Sequence, residues 1–439
     1  MNSKGKKTTE EDVNPMITMG LSMAIDLGAS EIRGLVGKRT QDGKMDIVAS
    51  EAIPSKGIMR GLIYNIDDVA FSINDLCKKM ENRLENQLNK EKSNEEKIKI
   101  TITKVYVALN GKSINTITNT VTRRPGGKTV TKELLDEFME ENRNASLASG
   151  KMLLDIIPQE YIVDDTPTTN PIGCPCEVIN AKYKMLIGDK SLIENLKSSL
   201  EKVNLELAGY TISPIASADA LLSENEKELG CLLVDFGAST TNVAIYYKNL
   251  MKFAFVIPIG SDTITNDLQS LKIVHEDAIL LKKKGNCFLD MSKDDFSFTL
   301  PRSGQKEIKY KTICKMIESR MDNILSYVKV CIDNSNLRVG PEIDQMVITG
   351  RGSELRGLIG KSANKLGLQP HCGKIRMQDT TGHISLDNSF AVALGTLMQA
   401  TDSCVSYRYK QMPAAPKKEK KGMAFLKAIG TLFDSEPLK

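Results

Sequence analysis

The chain contains the stretch Ser22-Met-Ala-Ile-Asp26-Leu-Gly28-Ala-Ser30 and, in its second half, the stretch Cys231-Leu-Leu-Val-Asp235-Phe-Gly237-Ala-Ser239. Each is an apolar run followed by Asp-x-Gly-Ala-Ser, and each leads into a second strand-like run, at residues 32–36 and 243–247. An internal repeat of a strand, a turn and a returning strand predicts two related half-molecules.

Each Asp-x-Gly-Ala-Ser segment suits the binding of a phosphate group. Glycine in such a turn is expected to adopt a positive φ, and the turn then directs backbone N–H groups and hydroxyls into one concavity. Asp26 and Asp235 carry the same charge as phosphate, so they are predicted to hold Mg²⁺ through its water ligands. A single Asp-x-Gly segment is also typical of a plain hairpin turn, and the repetition favours the binding site. The residues predicted to form the phosphate cradle are Gly28, Ala29, Ser30, Gly237, Ala238, Ser239, Thr240 and Thr241.

A third loop follows another strand-like run, in Met346-Val-Ile-Thr-Gly350-Arg-Gly352-Ser-Glu-Leu-Arg-Gly357. It does not match the dinucleotide fingerprint G-x-G-x-x-G, because position 355 is Leu. Glycines in a turn before a helix allow an adenine and a ribose to approach the backbone. The candidate contacts are Gly350, Arg351, Gly352 and Ser353.

The three loops in this order resemble the actin and heat-shock ATPase superfamily and, more narrowly, the bacterial FtsA family. Residues 157–163, 213–217, 226–230, 257–260 and 264–267 are also similar to that family. The resemblance runs from about residue 21 to 400 and includes the tail. It implies an α/β, two-lobed actin-like ATPase fold with a family-specific inserted subdomain and a C-terminal amphipathic helix.

The resemblance also implies that Lys282 reaches the ribose, although Lys282 is equally compatible with a solvated surface position. Two positions depart from the family pattern. The second phosphate loop has fewer glycines than usual and ends in Asn242, where Asp is common. Arg351 stands between two glycines, where a third glycine is common. Both departures are expected to affect the affinity for nucleotide.

The resemblance and the composition together predict seven regions. They are a disordered arm (1–20), the first lobe or subdomain 1A (21–97), the inserted subdomain 1C (98–187), the first-lobe return and connection (188–228), the second lobe with subdomains 2A and 2B (229–400), a flexible basic linker (401–421) and a membrane-targeting amphipathic helix (422–439).

Charge is distributed unevenly along the chain. The net charge is +4, yet residues 405–439 alone contain eight bases and three acids. The body is therefore close to neutral, which argues against a nucleic-acid-binding face. No run of eighteen apolar residues occurs and the N-terminus is polar, so a cytoplasmic protein that does not span a membrane is expected.

The tail has an apolar stripe at helical spacing. Phe425, Ile429, Leu432 and Phe433 stand at i, i+4, i+7 and i+8, with Leu426 beside them. A helix of this length, about 18 Å, is too short to cross a bilayer. After a basic linker, the pattern favours an interfacial helix on an anionic membrane. The alternative is a helix docked on the body.

The resemblance implies a function for the whole chain. It implies a cell-division protein that binds ATP and Mg²⁺ and polymerises at the division site, on the cytoplasmic face of the membrane. Its implied partners are the C-terminal peptide of FtsZ, further copies of itself and later division proteins, with no nucleic acid. The alternative is a small-molecule phosphotransferase of the same superfamily, such as a sugar or acetate kinase. The sequence identifies no catalytic residue, and slow hydrolysis is expected because Ser213 stands where relatives carry Glu or Gln before a Pro.

Overall fold

The computed structural model describes residues 16–40, 44–90, 92, 97–288, 295–375 and 384–410. The predicted amphipathic helix, with Phe425, Leu426, Ile429, Leu432 and Phe433, lies outside the described residues. Residues 1–15 of the expected arm and residues 411–421 of the expected linker also lie outside them.

Strands and helices alternate along the chain in an α/β pattern. No helix in the described ranges combines the length and the apolar character needed to cross a bilayer. The elements are β1 (Ile17–Thr18), β2 (Ser22–Leu27), β3 (Glu31–Arg39), β4 (Met45–Pro54), β5 (Ile58–Met59), β6 (Leu62–Ile63), α1 (Ile66–Asn89), β7 (Ile98–Ile102), β8 (Lys104–Leu109), β9 (Asn115–Arg123), α2 (Lys132–Arg143), β10 (Lys151–Val163), β11 (Thr166–Thr168), β12 (Ile179–Asp189), α3 (Ser191–Glu201), β13 (Glu206–Ile212), α4 (Ser213–Leu221), α5 (Glu224–Leu229), β14 (Cys231–Phe236), β15 (Thr241–Tyr247), β16 (Leu250–Ile257), α6 (Asp262–Gln269), α7 (His275–Lys284), β17 (Ser297–Leu300), β18 (Lys306–Lys309), α8 (Tyr310–Ser335), β19 (Gln345–Thr349), α9 (Leu358–Leu366), β20 (Gln369–Cys372), α10 (Ala391–Met398) and β21 (Val405–Tyr409).

Two five-stranded sheets with the same topology form the two lobes. The first has the order β13-β8-β2-β3-β4 and the second has the order β16-β15-β14-β19-β20. In each, three consecutive strands form an antiparallel meander, and a later strand pairs in parallel with the first of the three. Strands β2 and β14 are buried along their whole length, because both are apolar runs inside a covered sheet. The predicted relation between the two halves is therefore confirmed.

Helices α4 and α10 pack against each other between the two sheets. Helix α10 contacts β2, β3 and β8 of the first lobe, and α4 contacts β14, β15 and β16 of the second. Their closest approach is at Gly395, where a Cβ would overlap the carbonyl oxygen of Ala216. The absence of a side chain at this position lets the two helices join the lobes.

The inserted subdomain is a four-stranded antiparallel sheet in the order β11-β10-β12-β9, with α2 packed on it around Phe138 and Tyr183. The predicted boundary at residue 98 lies too early. Strand β7 pairs with β21, and β8 pairs with β2 and β13 of the first lobe. The separate sheet begins at Asn115, because the apolar runs before it fill places in other sheets.

The inserted subdomain is fixed to β16, the edge strand of the second-lobe sheet. The hydroxyl of Thr116 donates to the carbonyl oxygen of Ala254 (2.8 Å) and accepts from the N–H of the same residue (2.9 Å). The side-chain amide of Gln159 donates to the carbonyl oxygen of Met251 (2.9 Å). These bonds satisfy backbone groups of β16 that would otherwise be unpaired at the edge of the sheet.

Strands β1, β21 and β7 form a small sheet that corrects two expectations. Ile17 and Thr18 lie within the expected disordered arm, and Val405–Tyr409 lies within the expected flexible linker. Both are strands, because Ile17–Thr18 pairs with β21, and β21 pairs in turn with β7 and buries Val405 and Tyr407 in the core.

Helix α1 satisfies the outer edge of this small sheet. The backbone N–H groups of Ile98, Ile100 and Ile102 donate to side-chain oxygens of Asn89 (2.9 Å), Glu85 (2.9 Å) and Glu81 (2.8 Å). The three acceptors are four residues apart, so they lie on one face of the helix. An edge that would otherwise be open is thereby closed.

Candidate functional site

A cavity of about 780 Å³ lies between the two lobes. The carboxyl ends of β2 and β14, the turns that follow them and the loop after β19 all contribute to its walls. Thr241 and Ser353 lie outside the lining, because their hydroxyls bond to the carbonyl oxygens of Ile259 (2.8 Å) and Gly350 (2.6 Å). The predicted site residues that line the cavity are Asp26, Gly28, Ala29, Ser30, Asp235, Gly237, Ala238, Ser239, Thr240, Lys282, Gly350, Arg351 and Gly352.

The two phosphate-loop glycines are required for a different reason from the one expected. Neither Gly28 nor Gly237 has a positive φ. A Cβ on Gly28 would lie 2.5 Å from the carbonyl oxygen of Glu31, and one on Gly237 would lie 2.8 Å from that of Thr240. Each turn folds its own returning strand back over the glycine, and no side chain fits there.

Asp26 and Asp235 are buried carboxylates at corresponding positions of the two hairpins, 9% and 8% exposed. Burial is the main cause that raises the pKa of Asp26 to about 7, and the charge of Asp235 raises it further, while Arg33 opposes the shift. Burial also raises the pKa of Asp235. Ionising two buried carboxylates in one cavity is costly, and a bound cation would offset their charges. The pair is therefore suited to bind a cation.

Several buried polar atoms in the cavity wall lack a hydrogen-bond partner among the described residues. The side-chain amide of Asn242 donates to Asp235 (3.1 Å), and its carbonyl oxygen is left over. Such groups are costly unless water or a ligand satisfies them. A hydrated Mg²⁺ and phosphate oxygens would supply these partners, so the residues present fit the Mg²⁺ and ATP that the family resemblance implies. The unpartnered atoms are Arg33 Nε, Asn242 Oδ1, Thr265 Oγ1 and Thr349 Oγ1.

The loop after β19 packs directly on the second hairpin. Gly350 has φ of +80°, in the region that favours glycine. A Cβ at this position would overlap Asp235 Oδ1 and lie 2.6 Å from the carbonyl oxygen of Phe236. The glycines of the predicted adenosine loop thus bring its backbone against the carboxylate.

Arg351 and Glu31 join the lobes across the cavity mouth. One guanidinium nitrogen of Arg351 lies 2.8 Å from both carboxylate oxygens of Glu31, and Arg33 lies 2.7 Å from one of them. Sequence reasoning noted Arg351 as a departure but missed Glu31 and Arg33. The available signal was one charged residue, Glu31, directly after the first hairpin turn and another, Arg351, in the glycine-rich loop after β19. Neither residue indicates a contact until the fold brings the two loops together.

Of the two remaining residues singled out from the sequence, Lys282 lines the cavity and Ser213 does not. Lys282, on α7, is half-buried and donates to the carbonyl oxygen of Ser261 (3.3 Å), and burial lowers its pKa. Its ammonium group therefore faces the cavity rather than bulk solvent. Ser213 is fully buried, and its hydroxyl donates to the carbonyl oxygen of Leu109 (3.1 Å). Ser213 is not part of the lining.

Comparison with protein families gives two matches within the chain. Residues 232–395 match the family described as "Cell division protein FtsA", and residues 111–187 match the "SHS2 domain inserted in FTSA". Together these matches cover more than half of the chain. The second one coincides with the sheet and helix of the inserted subdomain.

Individual relatives agree with the family matches. The chain is 27% identical to a "Cell division protein FtsA" from Porphyromonas gingivalis, covering 87% of this chain and 79% of that protein. It is 26% identical to the Bacillus subtilis protein of the same name, covering 79% and 77% of the two chains. Among solved structures, one chain of the "PilM-PilN type IV pilus biogenesis complex" superimposes with a TM-score of 0.56 at 15% identity, covering 86% of this chain and 97% of that one.

These findings agree with the topology of the molecule. The two lobes of like topology around one cavity have the α/β actin-like ATPase fold, and the inserted sheet is an SHS2 domain. From its two family matches, its relatives and its fold, we conclude that the chain belongs to the FtsA family of cell division proteins.

Proposed function

We propose that this protein is an ATP-binding adaptor that tethers FtsZ to the cytoplasmic face of the membrane at the division site. It polymerises there and recruits later division proteins. The observation that carries the proposal is the cavity between two matched hairpins, with a buried carboxylate from each, in a chain of the FtsA family.

The cavity wall divides into parts that suit the parts of Mg-ATP. The turns at residues 28–30 and 237–240 would receive the phosphates through backbone N–H groups and hydroxyls. Asp26 and Asp235 would accept hydrogen bonds from water on Mg²⁺. Gly350, Arg351 and Gly352 would lie against the adenosine, with Lys282 toward the ribose. The bound metal supplies positive charge that offsets the two carboxylates and the phosphates.

Nucleotide in this position would contact both lobes at once. A ligand shifts a conformational equilibrium only by binding one state more tightly than the other. Contacts to both hairpins favour the closed arrangement, in which Arg351 bridges to Glu31. ATP therefore acts as a conformational ligand that prepares the protein for self-association.

Hydrolysis of ATP is expected to be slow, with a turnover below about 1 s⁻¹, the low end of ordinary enzyme rates. Ser213 is a poor base at neutral pH, and its hydroxyl is already bonded to the carbonyl oxygen of Leu109. The measurement is phosphate release at saturating Mg-ATP, with Asp235→Ala as the control for contaminating ATPases. A turnover well above this limit would contradict the expectation.

The proposed membrane attachment and FtsZ binding are tested by co-sedimentation with vesicles. FtsZ is expected to sediment with the vesicles when this protein and ATP are both present, and to stay in solution in the control with vesicles alone. Deleting the C-terminal peptide of FtsZ should abolish the effect. The phosphotransferase alternative would be favoured instead by phosphoryl transfer from ATP to a sugar or to acetate without recruitment of FtsZ.

A further inference from the structure

The outer face of the small sheet carries four basic side chains in two neighbouring cross-strand pairs. Arg408 of β21 stands opposite Lys99 of β7. The next pair is Lys410 opposite Lys97, where the N–H of Lys410 donates to the carbonyl oxygen of Lys97 (2.8 Å). Alternate residues of a strand share a face, so all four bases lie on one side. The other side packs into the core through Ile98, Ile100, Ile102, Val405 and Tyr407. We name Lys97, Lys99, Arg408 and Lys410 the basic sheet face.

Like charges directly across two strands destabilise a sheet. Lys410 is balanced in part by Glu85, whose carboxylate lies 3.1 Å from its ammonium group. Neither Lys99 nor Arg408 forms an ion pair with any residue that the structure describes. Glu81 and Glu85 each accept a backbone N–H of β7 with one carboxylate oxygen, and the charge of Lys99 acts on Glu81, where it opposes the burial that raises the pKa of that carboxyl. Because Lys99 and Arg408 have no ion-pair partner among the described residues, they carry positive charge that an anionic partner would offset.

The position of this face in the chain indicates which partner that is. Strand β21 ends at Tyr409, and the sequence continues into the tail, with Lys417, Lys418, Lys420 and Lys421 and the apolar stripe after them. Lys417 stands seven positions after Lys410 in the sequence, a span of at most about 25 Å. Met16, beside β1 in the same sheet, is 50% exposed. Basic groups of the body and of the tail therefore lie within reach of one surface.

We propose that the basic sheet face docks on anionic lipid, so that the body contacts the membrane as well as the tail. The proposal rests on the membrane attachment proposed above and adds a second contact to it. A tail alone would hold the protein at a distance without fixing its orientation. Contact through the basic sheet face sets the direction in which the two lobes and the inserted subdomain point from the bilayer.

The test uses the full chain and vesicles of phosphatidylcholine with and without phosphatidylglycerol. The double variant Lys99→Gln with Arg408→Gln is expected to bind the anionic vesicles about fivefold more weakly for each charge removed. Binding to uncharged vesicles should not change. The matched control is Lys128→Gln with Lys132→Gln, two exposed bases of the inserted subdomain, which changes the net charge equally and should bind as the wild type.

A variant that keeps the charges, Lys99→Arg with Arg408→Lys, should also bind as the wild type. Equal Tm values of the wild type and all the variants would show that folding is intact. Equal binding of the neutralised variant and its control would overturn the inference. Weaker binding to a DNA oligonucleotide without weaker vesicle binding would also overturn it. The tail variant Phe425→Glu separates the two proposals. If Phe425→Glu binds vesicles like the wild type, the proposed tail anchor is wrong. If Phe425→Glu loses binding while Lys99→Gln with Arg408→Gln does not, the tail anchor stands and the docking of the body is wrong.

Discussion

Alanine at Asp26 or Asp235 is expected to lower the affinity for Mg-ATP about ten- to a hundredfold. Each carboxylate would accept a hydrogen bond from metal-bound water, and a charged hydrogen bond of this kind contributes roughly 1.5–3 kcal/mol. Both carboxylates are buried in the cavity wall, and burial raises the pKa of each. The fold alone therefore does not favour the ionised carboxylates, and the proposed cation site would account for their presence.

The measurement is titration of the protein with a fluorescent ATP analogue, with Mg²⁺ and with a chelator. Loss of affinity should be limited to the titration with Mg²⁺. Asp262→Ala is a suitable control, because Asp262 also lines the cavity but is exposed, and its removal should leave the affinity equal or higher. Equal affinity of the wild type and both Asp26 and Asp235 variants would contradict the proposed metal site.

The same variants separate a binding role from a structural one. Above the folded-state pKa of Asp26, about 7, its ionised carboxylate destabilises the nucleotide-free protein, because the unfolded chain ionises at lower pH at no such cost. Removing the carboxylate should therefore leave Tm unchanged or higher. A large fall in Tm would mean that the carboxylate supports the fold, and the loss of ATP binding would then be indirect.

The hairpins of the site could be predicted from sequence because their signals are local. An apolar strand that ends in Asp, followed by a glycine turn and a second strand, occupies about fifteen consecutive residues, and the structure has β2 with β3 and β14 with β15 at those places. The family resemblance supplied the order of the lobes. The expected reason for the two glycines was wrong. Gly28 and Gly237 are needed because the backbone approaches them closely, and neither has a positive φ.

The parts that sequence reasoning missed depend on residues far apart in the chain. Glu31 and Arg351 are 320 positions apart, so nothing near either residue indicates their contact. Strand β21 is five residues long and precedes a basic tail, and composition alone assigned it to the linker. Only pairing with β7 and β1 makes it a strand. The boundary at residue 98 failed for the same reason.

Deleting residues 422–439 is expected to abolish binding to anionic vesicles and to leave ATP binding intact. Phe425→Glu or Ile429→Glu should have the same effect, because either places a charge in the apolar stripe. Each large apolar side chain contributes roughly 1.5–3 kcal/mol on full burial, and an interfacial helix buries its side chains only in part. Phe425→Leu is the matched control, which keeps the stripe apolar and should retain most of the binding.

One such helix must be a weak anchor. A segment of about twelve residues is marginal as an isolated helix in water, so part of the burial energy offsets the cost of folding on the lipid. The four lysines at 417, 418, 420 and 421 add about 1 kcal/mol each near anionic lipid, and salt reduces this contribution. Firm attachment then requires several tails on one filament, because after the first has bound the others act at high local concentration. Vesicle binding should accordingly rise steeply with protein concentration and weaken with salt. If the truncated protein sediments with vesicles as well as the full chain does, the tail is instead a helix docked on the body, and the anchor lies elsewhere in the molecule.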